Sequence, residues 1–265
     1  MARQPRAKGA NRSNPRMDRN IGVTPGGRSN RGGRDNVIEL NFPQKPKKQR
    51  IEIVPRNIHQ EDLVASLENP NKHIIFAVGP AGCGKTLLAT LHAIKQLKSG
   101  LVEKIVITRP NVAVDDKDIG YLPGDILKKM TPWMLPVLDV FAEYYTQPEI
   151  LAMLEENVIE MVPIAYMRGR TFKQSYIIFD EAQNSTPTSM LSVLTRIGDG
   201  SKMVVTGDLA QGDRGIANGL ADFISRFQGQ SQKIDVIKFA AKDVERHPVI
   251  KDLLSLYDDI PGTTF

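Results

Sequence analysis

The eight residues at 79–86, Gly-Pro-Ala-Gly-Cys-Gly-Lys-Thr, constrain this chain more than any other part of its sequence. They complete the pattern G-x-x-x-x-G-K-[ST], follow an apolar run at 73–78, and precede a helical pattern that begins at Lys85. A strand, a glycine-rich turn and a helix in this order place backbone N–H groups around a phosphate. The helix N-terminus adds the positive end of its dipole. The pattern therefore predicts a nucleotide-phosphate loop within an α/β fold.

The side chains of this loop have separate predicted roles. Lys85 is expected to reach the β- and γ-phosphates of ATP, and Thr86 is expected to offer its hydroxyl to Mg²⁺. Cys83, the only cysteine of the chain, is interpreted as a spacer that points away from the phosphates. The other predicted nucleotide contacts in this region are Gly79, Pro80, Ala81, Gly82, Gly84 and Leu87.

A pair of carboxylates follows the apolar run Tyr176–Phe179. Asp180 and Glu181 would stand at the C-terminal edge of a strand, where an open α/β sheet binds its ligands. We expect Asp180 to hold Mg²⁺ through water and Glu181 to polarise the attacking water. A hydrolase needs both functions, whereas a small-molecule kinase must keep water out. The pair therefore favours ATP hydrolysis.

A third polar group follows the run at 202–206. Thr206, Asp208 and Gln211 would lie at the same sheet edge, where they are placed to sense the γ-phosphate or the attacking water. The alternative interpretation is a strand-to-helix turn that is rich in capping residues.

Three arginines are candidates for neutralising the charge that develops during phosphoryl transfer. They are Arg168 and Arg170 in Tyr-Met-Arg-Gly-Arg-Thr, and Arg246 in Val-Glu-Arg-His-Pro. Each lies far from the loop in sequence, so each could act within its own chain or on a neighbouring subunit. A surface ion pair is the alternative for any one of them.

Apolar runs that alternate with helical patterns predict the fold class, a mainly parallel α/β sheet with helices on both faces. Pro132 and Pro136 are expected to break or kink one of the helices. The predicted strands are 73–78, 104–108, 158–162, 175–179, 202–206 and 234–239. The predicted helices are 85–98, 124–145, 148–156, 187–197, 217–227 and 242–257.

The basic charge of the chain is concentrated at its beginning. Residues 1–50 carry 13 Lys and Arg against 3 Asp and Glu, whereas the remainder is net acidic. With little that is apolar to bury, residues 1–36 are predicted to be disordered. We therefore predict a basic arm and linker at 1–49 and one ATPase domain at 50–265. The arm is interpreted as a nucleic-acid contact, with a solubilising tail or partner-binding segment as alternatives.

These segments together resemble the PhoH-like family of P-loop ATPases. The resemblance runs in order from Gly79 to Ile250 and does not include the first 50 residues. Its segments are GPAGCGKT (79–86), ITRPNVAV (107–114), IGYLPGD (119–125), YMRGRTF (166–172), IIFDEAQN (177–184), VVTGDLAQGD (204–213) and ERHPVI (245–250).

The family is similar to the first RecA-like half of superfamily-one helicases, and this implies further roles. By that resemblance Gln60 reads adenine, and Gln211 senses the γ-phosphate. Arg109 and Asn111 match a region that contacts a nucleic-acid backbone in helicases. Arg246 looks like the arginine finger.

Such helicases need two RecA-like domains, whereas this chain has length for one. The resemblance therefore implies a homo-oligomeric ring, by family a hexamer, that acts on RNA or single-stranded DNA. Two other hypotheses stay open, namely a nucleic-acid-binding protein with ATP as a structural ligand, and a small-molecule kinase. No apolar run approaches the roughly 18 residues that span a bilayer, so no membrane partner is expected. The single cysteine, Cys83, fits a reducing compartment, so the expected location is the cytoplasm, or the host cytoplasm if the protein is viral.

Overall fold

A six-stranded, fully parallel sheet forms the centre of the molecule in the computed structural model, which describes residues 50–110, 134–211, 218–245 and 249. The strands lie in the spatial order β3-β2-β4-β5-β1-β6. Their bounds are β1 Ile74–Val78, β2 Lys104–Thr108, β3 Ile159–Met161, β4 Ser175–Phe179, β5 Lys202–Gly207 and β6 Ile234–Lys238.

Seven helices and two short 3₁₀ turns connect these strands within the described ranges. The helices are α1 Ile58–Glu68, α2 Lys85–Lys98, α3 at 134–142, α4 Gln147–Glu155, α5 Ile164–Met167, α6 Pro187–Leu194 and α7 Gly219–Arg226. The 3₁₀ turns are Ala182–Asn184 and Ala241–Asp243. None of the described helices is both long and apolar enough to cross a membrane.

Helices cover both faces of the sheet because successive strand residues point to opposite sides. In β1, Ile75 and Ala77 join a core formed with α1 to α4, whereas Phe76 and Val78 join a core formed with α5 to α7. Burial of the strands on both faces explains why they read as continuous apolar runs. The sheet register places the ends of β1, β4 and β5 at one edge, since Val78 pairs with Gly207 and Phe179 pairs with Val205.

The mainly parallel α/β sheet with helices on both faces that the sequence predicts is confirmed, with all six strands within about two residues of their expected bounds. The strand that carries Asp180 is not adjacent to the strand that carries the phosphate loop, because β5 lies between them. Of the predicted 124–145 helix, only residues from 134 onward lie within the described ranges, where 134–142 are helical. The predicted arm at 1–49 lies outside the described residues.

Three helix predictions need correction. The sequence reading missed α1, because the helix turns Gln60 and Ser66 inward beside Leu63, which blurs its apolar periodicity. It also missed α5, which is a single turn of four residues. The helix predicted from 242 is wrong at its start, since Ala241–Asp243 form a 3₁₀ turn and residues 244–245 are not helical.

His92 is a buried titratable group that lies in the core on α2. Its Nδ1 lies 3.0 Å from the Tyr176 hydroxyl, and Glu68 is the nearest carboxylate, at 3.9 Å from Nε2. Burial lowers the pKa of His92 from 6.5 to about 4; Glu68 opposes this shift, and Lys202 and Lys95 reinforce it. The folded state therefore holds His92 neutral, so its contribution to stability is complete above pH 6.5 and is lost as the pH falls toward 4.

We expect His92→Leu to remove this pH dependence. Between pH 7 and pH 4.5 the wild-type protein should lose about 2 kcal/mol more of its free energy of unfolding than the variant does. The Tyr176 hydroxyl loses a partner in the variant, but that cost is the same at both pH values. Urea unfolding at the two pH values measures the difference, and equal losses in both proteins would contradict the assignment.

Candidate nucleotide site

The loop between β1 and α2 has the backbone that a phosphate cradle requires. Gly82 and Gly84 have φ of +89° and +77°, a left-handed conformation that residues with a Cβ rarely adopt. Gly84 is the N-cap of α2, so the first free N–H groups of that helix face the loop. Gly79 is held for a different reason, because a Cβ there would lie 2.6 Å from the Cβ of Phe239. The loop therefore presents backbone donors and a helix N-terminus to one space.

Lys85 is folded back onto its own loop. Its Nζ donates to the carbonyl oxygens of Gly79 and Pro80, at 2.7 and 2.6 Å, and the residue is buried. Burial lowers the pKa of Lys85, and this is opposed by Cys83, Asp208, Glu181 and Asp180 in that order. A bound phosphate chain would supply the negative charge that this buried ammonium lacks.

A cluster of oxygen atoms joins three elements at the sheet edge. Asp180 Oδ1 accepts a hydrogen bond of 2.8 Å from the Thr86 hydroxyl, and it also accepts one from the Thr206 hydroxyl. Asp180 and Thr206 are both buried. Carboxylate and hydroxyl oxygens are the donors that Mg²⁺ prefers, usually with phosphate oxygens and water completing the shell. The Thr86 and Asp180 pair predicted to hold Mg²⁺ therefore fits that ion.

Glu181 occupies a strained position between two partners. Its backbone has φ of +52° and ψ of +40°, which is unusual for a residue with a side chain. One carboxylate oxygen accepts a 2.6 Å hydrogen bond from Gln183 Nε2, and the other lies 3.5 Å from an Arg109 guanidinium nitrogen. Strain of this kind persists where the surroundings impose it, and it is concentrated at functional sites.

Gln183 was missed by the sequence reading and connects two of the predicted groups. Its Oε1 accepts from the Asp208 backbone N–H at 3.0 Å while its Nε2 donates to Glu181, and the residue is only 4% exposed. Gly207 has no side chain to obstruct it, since a Cβ there would lie 2.8 Å from Gln183 Oε1. The only sequence signal was its position two residues after Glu181, inside the Asp-Glu-Ala-Gln segment.

These groups surround one open cavity of about 260 Å³. It brings together most of the residues predicted for nucleotide, metal and hydrolysis. The lining residues are Ala81, Gly82, Gly84, Lys85, Thr86, Leu87, Asp180, Glu181, Gly207, Asp208 and Gln211.

The lining of the cavity does not include four residues of the predicted nucleotide site, namely Gly79, Pro80, Cys83 and Gln60. Cys83 is fully buried in the core, as expected of a spacer. Gln60 is also buried; it donates from Nε2 to the Cys83 carbonyl at 3.1 Å and accepts from the Arg56 N–H at 2.9 Å. The structure therefore gives Gln60 a role in bracing the loop, and contact with adenine stays a prediction. Pro80 takes part through its carbonyl oxygen, which accepts from Lys85.

The arginines predicted to contact phosphate or nucleic acid have different surroundings. Arg170 pairs with Glu160 at 2.6 Å and lies over the Phe172 ring at 4.5 Å, so it has a structural role on the far side of β2. Arg168 is exposed on the turn after α5. Arg246 and Asn111 lie outside the described residues. The neighbour of Arg246 does reach the loop, since the Glu245 N–H donates to the Gly82 carbonyl at 3.0 Å.

A family model described as PhoH-like protein matches residues 52–258 of the chain. A PhoH-like protein of Bacillus subtilis (strain 168) is 37% identical over 226 residues, covering 84% of this chain and 69% of the relative. Protein PhoH of Escherichia coli (strain K12) is 38% identical over 215 residues, covering 77% of this chain and 58% of the relative. The chain thus spans about three fifths to two thirds of the length of these relatives.

Among solved structures, the sheet is loosely similar to the Pif1 helicase from Candida albicans, with a TM-score of 0.37 and 14% identity over 78% of this chain and 45% of that one. A Sulfolobus solfataricus SWI2/SNF2 ATPase core in complex with dsDNA gives a TM-score of 0.38 and 14% identity, over 62% and 34%. Similarity at this level carries no argument about function.

Proposed function

Because this chain belongs to the PhoH-like family, we propose that it is a Mg²⁺-dependent ATPase whose hydrolysis is coupled to RNA or single-stranded DNA. The observation that carries the proposal is the convergence of Lys85, Asp180 and Glu181 on one cavity, together with Asp208 and Gln211. A phosphate loop accounts for nucleotide binding, and a carboxylate that faces the same space accounts for the use of water.

Each residue of the site has a part in this reaction. Lys85 leaves its two carbonyl partners and pairs with the β- and γ-phosphates, while the loop N–H groups bind the phosphate oxygens. Thr86 and Asp180 would hold Mg²⁺, which neutralises charge on the phosphates when it is bound. Glu181 orients the attacking water and accepts its hydrogen bond. Gln211 and Asp208 lie at the end of β5, where they meet the γ-phosphate side of the cavity.

The described part of the site lacks an arginine, and this motivates the proposal of an oligomer. Among the residues that line the cavity in the described part of the chain, lysine is the only cation and there is no arginine. Transfer of a phosphoryl group is accelerated when an arginine neutralises the developing charge. We therefore propose a homo-oligomeric ring, by family resemblance a hexamer, in which Arg246 or another arginine of a neighbouring subunit completes the site. We propose the cytoplasm as its location.

One observation favours a second function, in which ATP serves mainly as a bound structural or regulatory ligand. Both carboxylate oxygens of Glu181 are engaged by Gln183 and Arg109. A carboxylate held in this way is less available to water, so turnover would be low until a partner rearranges it.

Phosphate release measured with and without RNA and single-stranded DNA tests the proposal, alongside solution mass with and without ATP. The primary function predicts turnover that nucleic acid stimulates, in a complex of several subunits. Tight ATP binding with phosphate release at background under all conditions would favour the second function. Transfer of labelled γ-phosphate to a small acceptor would support a kinase instead.

Deleting residues 1–36 is expected to weaken nucleic-acid binding and to flatten its dependence on salt, because the basic residues there displace counterions from phosphates. ATP hydrolysis without nucleic acid should be nearly unchanged. Fluorescence anisotropy with a labelled oligonucleotide at several salt concentrations measures the first effect, and phosphate release measures the second. Equal loss of both would place the arm in the catalytic assembly.

A further inference from the structure

A second cavity, of about 360 Å³, lies at the same sheet edge as the nucleotide site, and we refer to it as the Arg168 cavity. Pro110 follows the end of β2, and Asn184 and Ser185 follow the end of β4, so its position is set by two adjacent strands of the sheet. Helices α5 and α6 provide the other walls. The lining residues are Pro110, Ile164, Ala165, Arg168, Asn184, Ser185, Thr186 and Ser189.

The lining indicates an anionic ligand. Among the described residues that line it there is one cation, Arg168, and no carboxylate. The second arginine of the same segment, Arg170, is already neutralised by Glu160. Within the described ranges Arg168 makes neither an ion pair nor a side-chain hydrogen bond, and it is exposed. A guanidinium in this state can bind a phosphate through two parallel hydrogen bonds.

The polar side chains of the cavity can complete a phosphate contact. Ser185 donates its hydroxyl to the Ala182 carbonyl and Thr186 donates its hydroxyl to Ser189 Oγ, so of the three hydroxyl groups at the wall that of Ser189 remains to donate to a phosphate. Asn184 Oδ1 is buried and has no hydrogen-bond partner in the described part of the chain. A buried acceptor without a partner costs about 1–3 kcal/mol, so this turn gains from a ligand that supplies a donor, which a ribose hydroxyl does and a phosphate oxygen does not.

The remaining walls suit a sugar and a base better than a free anion. Pro110, Ile164 and Ala165 are apolar. Tyr166, which lies between Ala165 and Arg168 in the chain, leaves 47% of its surface exposed. Exposed aromatic rings are the surfaces on which single-stranded bases stack.

We propose that the Arg168 cavity binds the sugar-phosphate backbone of a single-stranded nucleic acid, with Arg168 paired to a phosphate. This inference rests on the proposed function, whose nucleic-acid partner it locates. The cavity and the nucleotide site share the turn Ala182–Asn184, since Asn184 lines the cavity and Glu181 directly precedes the turn. A nucleic acid that moves this turn alters the contact between Gln183 and Glu181. Binding in the cavity can therefore change the position of the Glu181 carboxylate through this turn.

Anisotropy of a fluorescent single-stranded RNA, titrated with the full-length protein and several variants, tests the proposal. Arg168→Ala is expected to weaken binding roughly tenfold and to reduce the slope of log affinity against log salt by about 0.7, the value for one phosphate contact on a single strand. Ala165→Glu places a carboxylate at the exposed rim, and it should weaken binding at least as much. Lys173→Ala is the matched control, because it removes an exposed charge at the opposite edge of the sheet, before β4 begins.

The outcomes separate this inference from the proposed function. If both cavity variants bind RNA as tightly as Lys173→Ala does, and the wild-type protein releases phosphate from ATP, the inference alone is overturned. Displacement of the RNA by millimolar inorganic phosphate at constant ionic strength would make the cavity a free-anion site. A fall in solution mass for Arg168→Ala with unchanged RNA affinity would make it a subunit contact. Wild-type protein that binds no oligonucleotide and releases no phosphate overturns the inference and the proposed function together.

Discussion

Lys85→Ala is expected to lower ATP turnover by at least about a hundredfold, which is the usual cost of removing one charged or hydrogen-bonding group that stabilises a transition state. Lys85 is the only cation that lines the described nucleotide cavity, and its Nζ is already held at the loop by the Gly79 and Pro80 carbonyls. Its loss therefore removes the positive charge that pairs with the phosphates in both the bound state and the transition state. Nucleotide affinity should fall together with turnover, as equilibrium binding of a fluorescent ATP analogue and a phosphate-release assay would show.

Lys98→Ala provides the matched control, because it removes an ammonium group from the other end of the same helix. Lys98 lies over the Tyr145 ring at 4.9 Å and is exposed, so its loss should leave both ATP binding and turnover near the wild-type values. A Lys85→Ala protein that is folded and hydrolyses ATP at the wild-type rate would show that the observed cavity is not where ATP reacts.

The loop and the sheet could be predicted because both depend on local sequence. A fixed spacing of glycines before Lys85 determines the turn, and strands buried on both faces keep continuous apolar runs. The side chains at the strand ends were also predictable as a group, since parallel strands bring their C-terminal ends to one edge. Asp180, Glu181, Asp208 and Gln211 do meet there.

The links between these groups could not be predicted, because they depend on contacts between distant segments. Gln183 bridges Glu181 and Asp208 only because β5 lies beside β4, and the sequence does not specify that neighbour. Gln60 is a buried brace for the loop because α1 packs against it, although α1 itself has a weak periodicity.

The roles of the two neighbouring arginines also could not be predicted from the sequence. Arg168 and Arg170 are two residues apart in one motif, yet within the described ranges only Arg170 meets a carboxylate, Glu160 on β3. A motif alone does not distinguish an arginine that stabilises the fold from one that remains available for a ligand.

Glu181→Gln is expected to lower ATP hydrolysis by about 10²- to 10⁴-fold, the usual contribution of a general base, while leaving ATP affinity within a few-fold of wild type. The substitution keeps the shape of the side chain, and the amide oxygen can still accept from Gln183 Nε2. It removes the negative charge that faces Arg109 and that would accept the hydrogen bond of the attacking water. Binding should survive because the loop, Lys85 and Thr86 are unchanged, which separates this variant from Lys85→Ala. The measurements are single-turnover phosphate release and equilibrium binding of ATP.

Glu103→Gln makes the same chemical change at an exposed position before β2, at the opposite edge of the sheet, and should hydrolyse ATP like the wild type. The response of Glu181→Gln to RNA is the more informative comparison. If nucleic acid acts by rearranging the turn that holds Glu181, the variant should bind RNA normally yet show no stimulation, because the carboxylate that is rearranged is gone. Stimulation of residual hydrolysis to the same fold as in the wild type would show that nucleic acid acts elsewhere, on the loop or on an arginine from a neighbouring subunit. Hydrolysis at the wild-type rate would exclude Glu181 as the group that handles water and would direct attention to Asp208, whose backbone N–H is tied to the same glutamine.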